Sequence, residues 1–237
     1  MRQERPAVAP GLSALLRGSL VHLLLEDLDF ERPEVPGAEA VAALIERHGV
    51  PARDEDVADL RAMVERFASS KLRARIAAAS RVRTELPFAF TLEPPGAGGR
   101  RLVVNGVVDV HAREPDGVLV VDHKSDALEG RDPEELVAHA YATQRLVYGL
   151  ATLRAGAARV VVAHCFLERP DDPAIVEYAA ADAPELEEQL LEVARGVVEA
   201  RFEPTDNPHR ELCADCPGRA ALCSWGPERT LAEPVQG

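Results

Sequence analysis

The chain has 237 residues, of which 46% are hydrophobic and 28% are charged, the proportions of a globular protein with a buried core. No apolar run reaches the roughly 18 residues that a membrane helix needs, and the N-terminus does not resemble a signal peptide. We therefore expect a cytoplasmic protein with no membrane partner. The net charge of −13 argues against a protein that coats nucleic acid nonspecifically, because that affinity comes from neutralising phosphates.

The first part of the chain is predicted to be helical. Leucines recur at helical spacing over residues 11–28, and this predicts the first helix. A connector rich in proline follows at 31–37, and two more helices are predicted over residues 38–48 and 54–79.

A run of cations lies between Arg61 and Glu85, where only two residues are acidic. The cations are Arg61, Arg66, Lys71, Arg73, Arg75, Arg81 and Arg83. Two interpretations are open: a local basic strip that serves an enzyme acting on nucleic acid, or an ordinary solvated helix face.

From residue 84 the pattern changes to short segments rich in β-branched residues and separated by turn formers. It predicts strands over 84–93, 101–112, 117–124 and 158–168, a further strand at 174–180 that can pair with the last of these, and helices over 133–153 and 183–201. This order is typical of an α/β (α+β) domain with a mixed central sheet flanked by helices. We treat residues 1–237 as a single domain, with flexible ends at 1–10 and 227–237 and a cysteine-containing tail at 202–226.

The chemistry is concentrated in residues 105–126, NGVVDVHAREPDGVLVVDHKSD. Asp109 is predicted to end one strand, and Asp122 and Lys124 to end the next strand across a tight turn. Alternation along a strand places Asp122 and Lys124 on one side and His123 on the other. Two carboxylates and an amine would then converge, and carboxylates suit Mg²⁺ or Mn²⁺.

The rarity of lysine supports this interpretation. Of the 27 cationic residues, only Lys71 and Lys124 are lysines, so one of the two lies in this motif. An ammonium group is a compact donor that can approach a water, and its pKa can shift, whereas a guanidinium does not deprotonate.

The motif resembles that of the RecB-like nucleases of the PD-(D/E)XK superfamily, which occur at the C-terminus of helicase-nucleases of the RecB and AddA type. The resemblance rests first on G-x-x-D (106–109), followed by a hairpin and V-V-D-H-K-S (120–125). Three further matches occur in the expected order: a histidine helix that contains His22, an E-L-P-F segment that begins at Glu85, and a Q-x-x-x-Y pair formed by Gln144 and Tyr148.

The resemblance implies a restriction-endonuclease-like core and a metal site. The metal ligands that it implies are Asp109, Asp122 and His22, with the main-chain carbonyl of His123 as a fourth.

The same resemblance implies roles for the other motif residues. Lys124 would position or activate the attacking water, and Gln144 and Tyr148 would steady the DNA or the motif itself. Glu85 would lie near the site in a supporting role.

The cysteines near the C-terminus are a separate candidate. Cys213, Cys216 and Cys223 resemble the three-cysteine half of the staple that holds a 4Fe-4S cluster in some relatives, and those relatives supply a fourth cysteine upstream. Here the remaining cysteine is Cys165, in a predicted buried strand. A cluster, a zinc site completed by His209, and a segment without metal all remain open.

The function indicated is a metal-dependent deoxyribonuclease that processes DNA ends in recombination and repair, and its expected partner is a helicase domain or a separate helicase protein. A catalytically inactive nuclease fold that binds DNA or serves as a scaffold is the alternative. A Mg²⁺-dependent hydrolase of a small phosphorylated substrate is a third class, and it would need a closed pocket rather than an open groove.

Overall fold

A computed structural model of the chain describes residues 11–96, 98–99, 101–201, 204–214 and 216–234. It divides into two compact units, Met1–Val193 and Ala194–Gly237. The expected flexibility of residues 1–10 lies outside the described residues. Among the residues that are described, no helix is both long and apolar enough to cross a membrane.

The sheet is the centre of the first unit. In the described part of the chain its strands are β1 (Arg81–Leu92), β2 (Leu102–Glu114), β3 (Gly117–Lys124), β4 (Arg159–Phe166) and β5 (Ala174–Ala179), in the spatial order β1-β2-β3-β4-β5. Strands β3 and β4 are parallel, and the other neighbours are antiparallel. The parallel pair requires a crossover, which helices supply. The prediction of a mixed sheet is confirmed.

Helices cover both faces of this sheet. The first group is α1 (Ala14–Glu26), α2 (Ala38–Arg47), α3 (Asp54–Ala68) and α4 (Lys71–Ala77). The second group is α5 (Pro133–Leu136), α6 (Ala142–Arg154) and α7 (Ala183–Val198). Side chains of α1 to α4 pack on one face of the sheet, and side chains of α6 and α7 pack on the other.

Alternation along β3 explains the two cores. Leu119 and Val121 belong to the core under α1 to α4, whereas Val118 and Val120 belong to the core under α6. A strand that is buried on both faces is a nearly continuous run of apolar residues, and β3 has only valine and leucine from Val118 to Val121. The polar residues at its end therefore enter a buried environment.

The predicted helix over residues 54–79 is wrong as a single element. It divides into α3 and α4 at Ser69 and Ser70. The Ser70 side chain accepts a hydrogen bond from the Arg73 backbone N–H, so it caps a new helix. A serine pair can thus end one helix and begin the next.

The predicted helix over residues 133–153 is also interrupted. A π-helical turn, Val137–Tyr141, separates α5 from α6. Such turns change the direction in which the following side chains point, and they are frequent at functional sites. Here the turn ends at Tyr141, whose ring lies against Lys124.

The cations of the predicted basic strip are divided among different roles. Arg61 and Arg66 donate to backbone carbonyl oxygens of other segments at 2.9 and 2.8 Å. Arg75 forms an ion pair at 2.8 Å with a glutamate of β2. Arg81 and Arg83 lie on β1, so the run of cations in the sequence is not one continuous strip on the surface.

The second unit contains α8 (Arg210–Cys213) and α9 (Pro227–Thr230) in its described part. The Arg210 backbone N–H donates to the carbonyl oxygen of Ala232 at 2.8 Å, and the Trp225 indole N–H donates to that of Thr205 at 2.8 Å. Helix α9 lies within the range 227–237 that we expect to be flexible. The last three residues of that range are outside the described part.

Candidate active site

The candidate site lies at the carboxyl end of β3, where β3 separates from β2. The two strands pair from Glu114–Gly117 to Val110–Val121, and the next residues in this register are Asp109 and Asp122. Strand β2 continues to pair with β1 beyond Asp109. Asp109 therefore lies in the interior of its strand, and the prediction that it ends the strand is wrong.

The side chains at the end of β3 point in alternate directions. Asp122 and Lys124 face α6, whereas the ring of His123 packs edge-on against Phe67 of α3, with 4.6 Å between ring centroids. Asp122 and His123 are both only 2% exposed. The strand thus presents one acid and one amine on the α6 side and a histidine on the opposite side.

Asp122 and Lys124 are held in a network that α6 completes. The Lys124 ammonium lies 2.7 Å from Asp122 Oδ2 and donates to Gln144 Oε1 at 2.8 Å. Gln144 Nε2 donates to Asp122 Oδ1 and to the Tyr148 hydroxyl, both at 2.8 Å. The Tyr148 hydroxyl also lies 3.0 Å from Asp122 Oδ1. Gln144 and Tyr148 reach one carboxylate because residues four apart share a helix face.

The protonation of this network follows from its burial. Burial raises the pKa of Asp122, and the negative charge of Asp109 raises it further, while Lys124 and Tyr148 oppose the change. Burial and the charges of Asp122 and Asp109 also raise the pKa of the Tyr148 hydroxyl. Tyr148 therefore keeps its proton. Its hydroxyl lies 3.0 Å from the carbonyl oxygen of Val107 as well as from Asp122, so it can donate to either acceptor.

A second cluster lies on the other side of Asp109. One ligand atom each from His22, Glu85 and Asp109 lies within 4.8 Å of the other two. The His123 backbone N–H donates to Asp109 Oδ2 at 2.7 Å. Among the described residues this is the one group of three or more such side chains that could hold a metal ion.

The electrostatics of this cluster favour a cation. Burial raises the pKa of Glu85, and the charges of Asp109 and Glu26 raise it further. Burial would also raise the pKa of Asp109, but hydrogen bonds and charges of His123 and His22 outweigh it and hold this pKa below its usual range. A carboxylate that remains ionised while partly buried is a suitable metal ligand.

The tautomer of His22 also fits a metal. Its Nε2 lies 3.0 Å from the carbonyl oxygen of His123, which can only accept, so Nε2 carries the proton. A metal ligand must be the neutral form of the ring, and in that form the Nδ1 lone pair faces Asp109 Oδ2 at 3.4 Å, so that two acceptors face each other. A cation bound to both atoms would satisfy them. Oxygen donors with one imidazole suit Mn²⁺ or Mg²⁺, and the imidazole favours Mn²⁺.

Local backbone features place two of these ligands. Glu85 has a φ angle of 46°, a left-handed conformation that is uncommon for residues other than glycine and often occurs at functional sites. Gly18 lets α1 approach β3, because a Cβ at this position would lie 3.2 Å from Ser125 Oγ. His22 follows one turn later on the same helix face.

Tyr141 is a member of the site that the sequence did not reveal. The Lys124 ammonium lies 4.0 Å from the centroid of its ring, within the range of a cation–π contact. The Tyr141 hydroxyl donates to Asp126 Oδ2 at 2.9 Å, which fixes the ring. The signal in the sequence was weak, because only the π-helical turn gives Tyr141 this direction.

His164 is a second residue that the sequence did not reveal. It lies directly across the parallel β3–β4 pair from Asp122, it is fully buried, and its ring stacks on Tyr141 with 6.1 Å between centroids. Neither ring nitrogen has a hydrogen-bond partner among the described residues. Burial, together with the charges of Lys124 and Arg145, lowers the pKa of His164 to about 3, so its ring is neutral.

The cysteines do not form a comparable site. Cys213 is buried, Cys216 is exposed and Cys223 is intermediate, and in the described part of the chain none of them joins a group of three that could hold an ion. Cys165 is buried in β4 within the core under α1 to α4, and burial raises the pKa of its thiol. The described residues therefore do not fit a four-cysteine cluster.

The fold and the site together define a class of protein. A mixed sheet flanked by helices, with carboxylates and a lysine where two central strands separate, is the restriction-endonuclease-like core. The chain belongs to the PD-(D/E)XK nuclease superfamily, because a model of that family matches residues 2–223. The predicted family and fold class are thus confirmed, and nucleases of this superfamily use divalent metals.

The curated relatives are large helicase-nucleases. The chain is 28% identical over 132 residues to an ATP-dependent helicase/nuclease protein of Bacillus cereus (strain AH187), a match that covers 52% of this chain and 11% of the relative. It is 26% identical over 150 residues to the protein of the same name from Acetivibrio thermocellus, covering 60% of this chain and 12% of the relative. The chain thus spans about a tenth of the length of these relatives.

A solved structure agrees with the fold. A crystal structure of a protein from Eubacterium rectale, provisionally assigned as an exonuclease, matches with a TM-score of 0.50 and 15% identity. The match covers 92% of this chain and 79% of that one. At this identity the likeness supports the fold and not the activity.

Proposed function

We propose that the chain hydrolyses phosphodiester bonds of DNA in a reaction that depends on Mg²⁺ or Mn²⁺. One observation carries the proposal: Asp109 lies between a cluster that could hold a metal and the network of Asp122 and Lys124. A protein that only binds DNA gains nothing from bringing buried acids together, because their mutual repulsion destabilises the fold.

The metal would be held by His22, Glu85 and Asp109. This set differs from the one that the resemblance implies, because Asp122 contacts Lys124, Gln144 and Tyr148. The main-chain carbonyl of His123 lies 3.0 Å from His22 Nε2, and Glu85 takes the place of a ligand rather than a supporting role. A divalent ion there would supply a Lewis acid for the phosphate oxygens and a charge that lowers the pKa of an attacking water. The oxygen-rich donor set fits this role, and the imidazole of His22 predicts that Mn²⁺ binds more tightly than Mg²⁺.

Lys124 has the position required to act on the reacting groups. Its ammonium is held by Asp122 and Gln144 and lies over the ring of Tyr141. From there it can donate to a water or to a phosphate oxygen and stabilise the negative charge that develops during attack. Gln144 donates to Asp122 Oδ1, and the Tyr148 hydroxyl lies 3.0 Å from the same oxygen, so both side chains help to orient Asp122.

The process that we propose is exonucleolytic end processing in recombination and repair, together with a helicase domain or a separate helicase protein. The support is the similarity to the ATP-dependent helicase/nuclease proteins. DNA is the proposed substrate, as single strands or duplex ends, and the cytoplasm is the proposed location.

The experiment is a cleavage assay on end-labelled single- and double-stranded oligonucleotides with Mg²⁺, Mn²⁺ or EDTA. Wild type is compared with Asp122→Ala, Lys124→Ala and Lys71→Ala. Lys71 is the matched control, since it is the other lysine of the chain and lies on α4. We expect metal-dependent cleavage that falls by roughly 10³-fold in the first two variants and is unchanged in Lys71→Ala.

The labelled products also show the mode of cutting. Mononucleotides released from one end support exonucleolytic action, whereas internal fragments contradict that part of the proposal. Absence of cleavage by wild type with every metal would contradict cleavage by this chain alone. In that case, metal-dependent cleavage after addition of a helicase protein would point to a required partner. No cleavage with the helicase protein present would point to the inactive scaffold.

A further inference from the structure

Four basic side chains form a compact group on β1 and β2, here called the arginine array: Arg81, Arg83, His111 and Arg113. In the antiparallel register Arg81 lies opposite Arg113, and Arg83 lies opposite His111. Residues that are directly opposite, and those two apart along one strand, point to the same face of a sheet. The four side chains line a common pocket of about 260 Å³, and the three arginines are exposed.

No acidic side chain of the described residues forms an ion pair with these arginines. This is unusual in a chain with a net charge of −13, where arginines such as Arg145 and Arg154 are paired with glutamates. The nearest acid along β2, Glu114, points to the other face and pairs with Arg75. The array therefore has a positive charge that the protein does not neutralise.

The arrangement destabilises the fold by itself. Like charges directly opposite each other on neighbouring strands repel, and Arg81 and Arg113 are such a pair. An anion that binds among these side chains would relieve the repulsion.

The array lies at a defined distance from the candidate active site. Along β2, His111 is two residues from Asp109 and Arg113 is four residues away, which corresponds to roughly 7 and 13 Å at about 3.3 Å per residue. A strand of duplex DNA advances roughly 3.4 Å per nucleotide. For a duplex whose axis runs along β2, the two rows of the array are thus about two and four nucleotide steps from the cluster at Asp109.

An open cleft adjoins the array on the side of α6. His111 and Arg113 line it together with Thr152, the residues that follow α6 and the β2–β3 turn, which includes the acids Glu114 and Asp116, and its volume is about 410 Å³. Thr152 is on the same face of α6 as Gln144 and Tyr148, two turns and one turn further along respectively. The helix that holds the catalytic network thus also borders the cleft beside the array.

We infer that the arginine array binds the phosphate backbone of the DNA strand whose scissile bond lies at Asp109 and Lys124, two to four nucleotides from that bond. The inference rests on the proposed function. Guanidinium groups bind phosphates with two parallel hydrogen bonds. Two rows of basic side chains at a regular spacing, with three arginines among them, fit a polyanion better than a single small anion, which would need an enclosed site.

The test measures DNA binding by Arg83→Ala/Arg113→Ala, with Arg32→Ala/Arg47→Ala as the matched control. Arg32 and Arg47 are exposed, so the control removes the same charge elsewhere. The probe is a fluorescein-labelled 20-mer, single-stranded or duplex, titrated in EDTA at a series of KCl concentrations. Thermal denaturation checks folding, and we expect the array variant to be at least as stable as wild type because a repulsion is removed.

We expect the array variant to change the salt dependence of binding. Each lost phosphate contact reduces the slope of log K against log salt by roughly 0.9 for duplex DNA, so the loss for two contacts is about 1.8. If a phosphate contact contributes nothing to affinity at 1 M salt, a slope of about 0.9 means that it contributes roughly eightfold at 0.1 M salt. Loss of one contact then weakens binding by that factor at 0.1 M. The array variant should therefore bind up to about 60-fold more weakly at 0.1 M, and the control should match wild type.

Failure of this inference can be distinguished from failure of the proposed function. If wild type cleaves DNA and the array variant binds and cleaves like the Arg32→Ala/Arg47→Ala control, the inference is wrong and the nuclease stands. If neither wild type nor the variants cleave DNA, but only the array variant binds DNA more weakly and with a smaller salt dependence, the array is a DNA-binding surface without the proposed catalysis. Cleavage of bis(p-nitrophenyl) phosphate, which is too small to reach the array, should be the same in wild type and the array variant.

Discussion

Two parts of the chain contain residues of the types that hold metal ions, but only in one of them do the described ligand atoms lie close together. The first, here called the sheet-edge site, lies where β2 and β3 separate, and there His22 of α1, Glu85 of β1 and Asp109 of β2 have ligand atoms within 4.8 Å of one another. In the C-terminal unit, Cys213, Cys216 and Cys223 differ in burial, and in the described part of the chain they do not form such a group.

The difference follows from the kind of structure that carries each set. The sheet-edge ligands are fixed by strand register and by helices that pack on a continuous core. The cysteines lie among short turns. In these turns the Cys216 backbone N–H donates a hydrogen bond to the carbonyl oxygen of Cys213, and the Cys223 backbone N–H donates to that of Gly218. Regular elements can organise ligands before a metal arrives, whereas a turn-rich segment often needs the metal to organise it.

The largest effect is expected at Asp109, which belongs to both sides of the sheet-edge site. Asp109→Ala should reduce cleavage by about 10³-fold or more, equivalent to about 4 kcal/mol of transition-state stabilisation. The measurement is kcat/KM on a labelled oligonucleotide at saturating Mn²⁺. Asp116→Ala, in the turn between β2 and β3, is the control that should keep wild-type activity. Substantial activity in Asp109→Ala would contradict a metal site at this edge.

A smaller effect is expected at Gln144, which supports the site without being a proposed ligand. Gln144→Ala removes one donor to Asp122 and the acceptor for Lys124. Residues that orient ligands and catalytic groups typically contribute 10- to 100-fold, and kcat should fall by this amount with little change in KM. Gln189→Ala, on the exposed face of α7, should have no effect. A loss as large as that of Asp109→Ala would instead give Gln144 a direct role in the chemistry.

The site also shows how much of it the sequence predicts. The sequence predicts the orientation of Asp122 and Lys124, because they lie on one strand of a hairpin, where alternate side chains point to the same face. Gln144 and Tyr148 were found through the resemblance to a family, and the helix period explains why they meet at one carboxylate. His22 entered by the same route, since a histidine among leucines has no signal of its own.

The rest of the site depends on contacts that are distant in the sequence. His164 is opposite Asp122 only because β3 and β4 are parallel, and this register is set after a crossover of 34 residues between Lys124 and Arg159. The resemblance places Glu85 near the site, but its positive φ angle and its position within ligand distance of Asp109 are seen only in the structure. The sequence does not predict the break at Ser70, because serine occurs inside helices as well as at their ends.

His164 provides a test of how well the sheet-edge site excludes water, and the test needs no added metal. Its pKa is about 3 in the folded chain and near 6.5 when unfolded. Because the unfolded state takes up the proton first, stability falls as the pH drops below 6.5 and continues to fall until about pH 3. Between pH 7.5 and pH 5.5 the cost is about 1.4 kcal/mol.

The measurement is urea unfolding in EDTA at these two pH values. His164→Leu should lose less stability than wild type between them, by about 1.4 kcal/mol, whereas His48→Leu, a partly exposed histidine at the end of α2, should behave like wild type. Equal losses for wild type and His164→Leu would mean that water reaches His164, and the site would be less enclosed than the structure indicates.

The smallest effect is expected for the cysteines. Replacing Cys213, Cys216 and Cys223 together by serine should change kcat/KM by no more than about twofold, because no step of the proposed reaction uses the second unit. Iron and zinc content, measured by atomic absorption on the same preparations, provides the check. If the serine variant loses both bound iron or zinc and cleavage, the cysteine region holds a metal that cleavage needs, contrary to the difference that the structure shows between the two regions.

The most direct measurement is a calorimetric titration of the metal-free chain with Mn²⁺. Three proteins are compared: wild type, Asp109→Ala, and the variant in which all three cysteines of the second unit are serine. We predict one Mn²⁺ per chain for wild type and for the serine variant with equal affinity, and binding at least tenfold weaker for Asp109→Ala. Unchanged binding in Asp109→Ala, or binding lost only in the serine variant, would contradict a metal-dependent active site at the sheet edge.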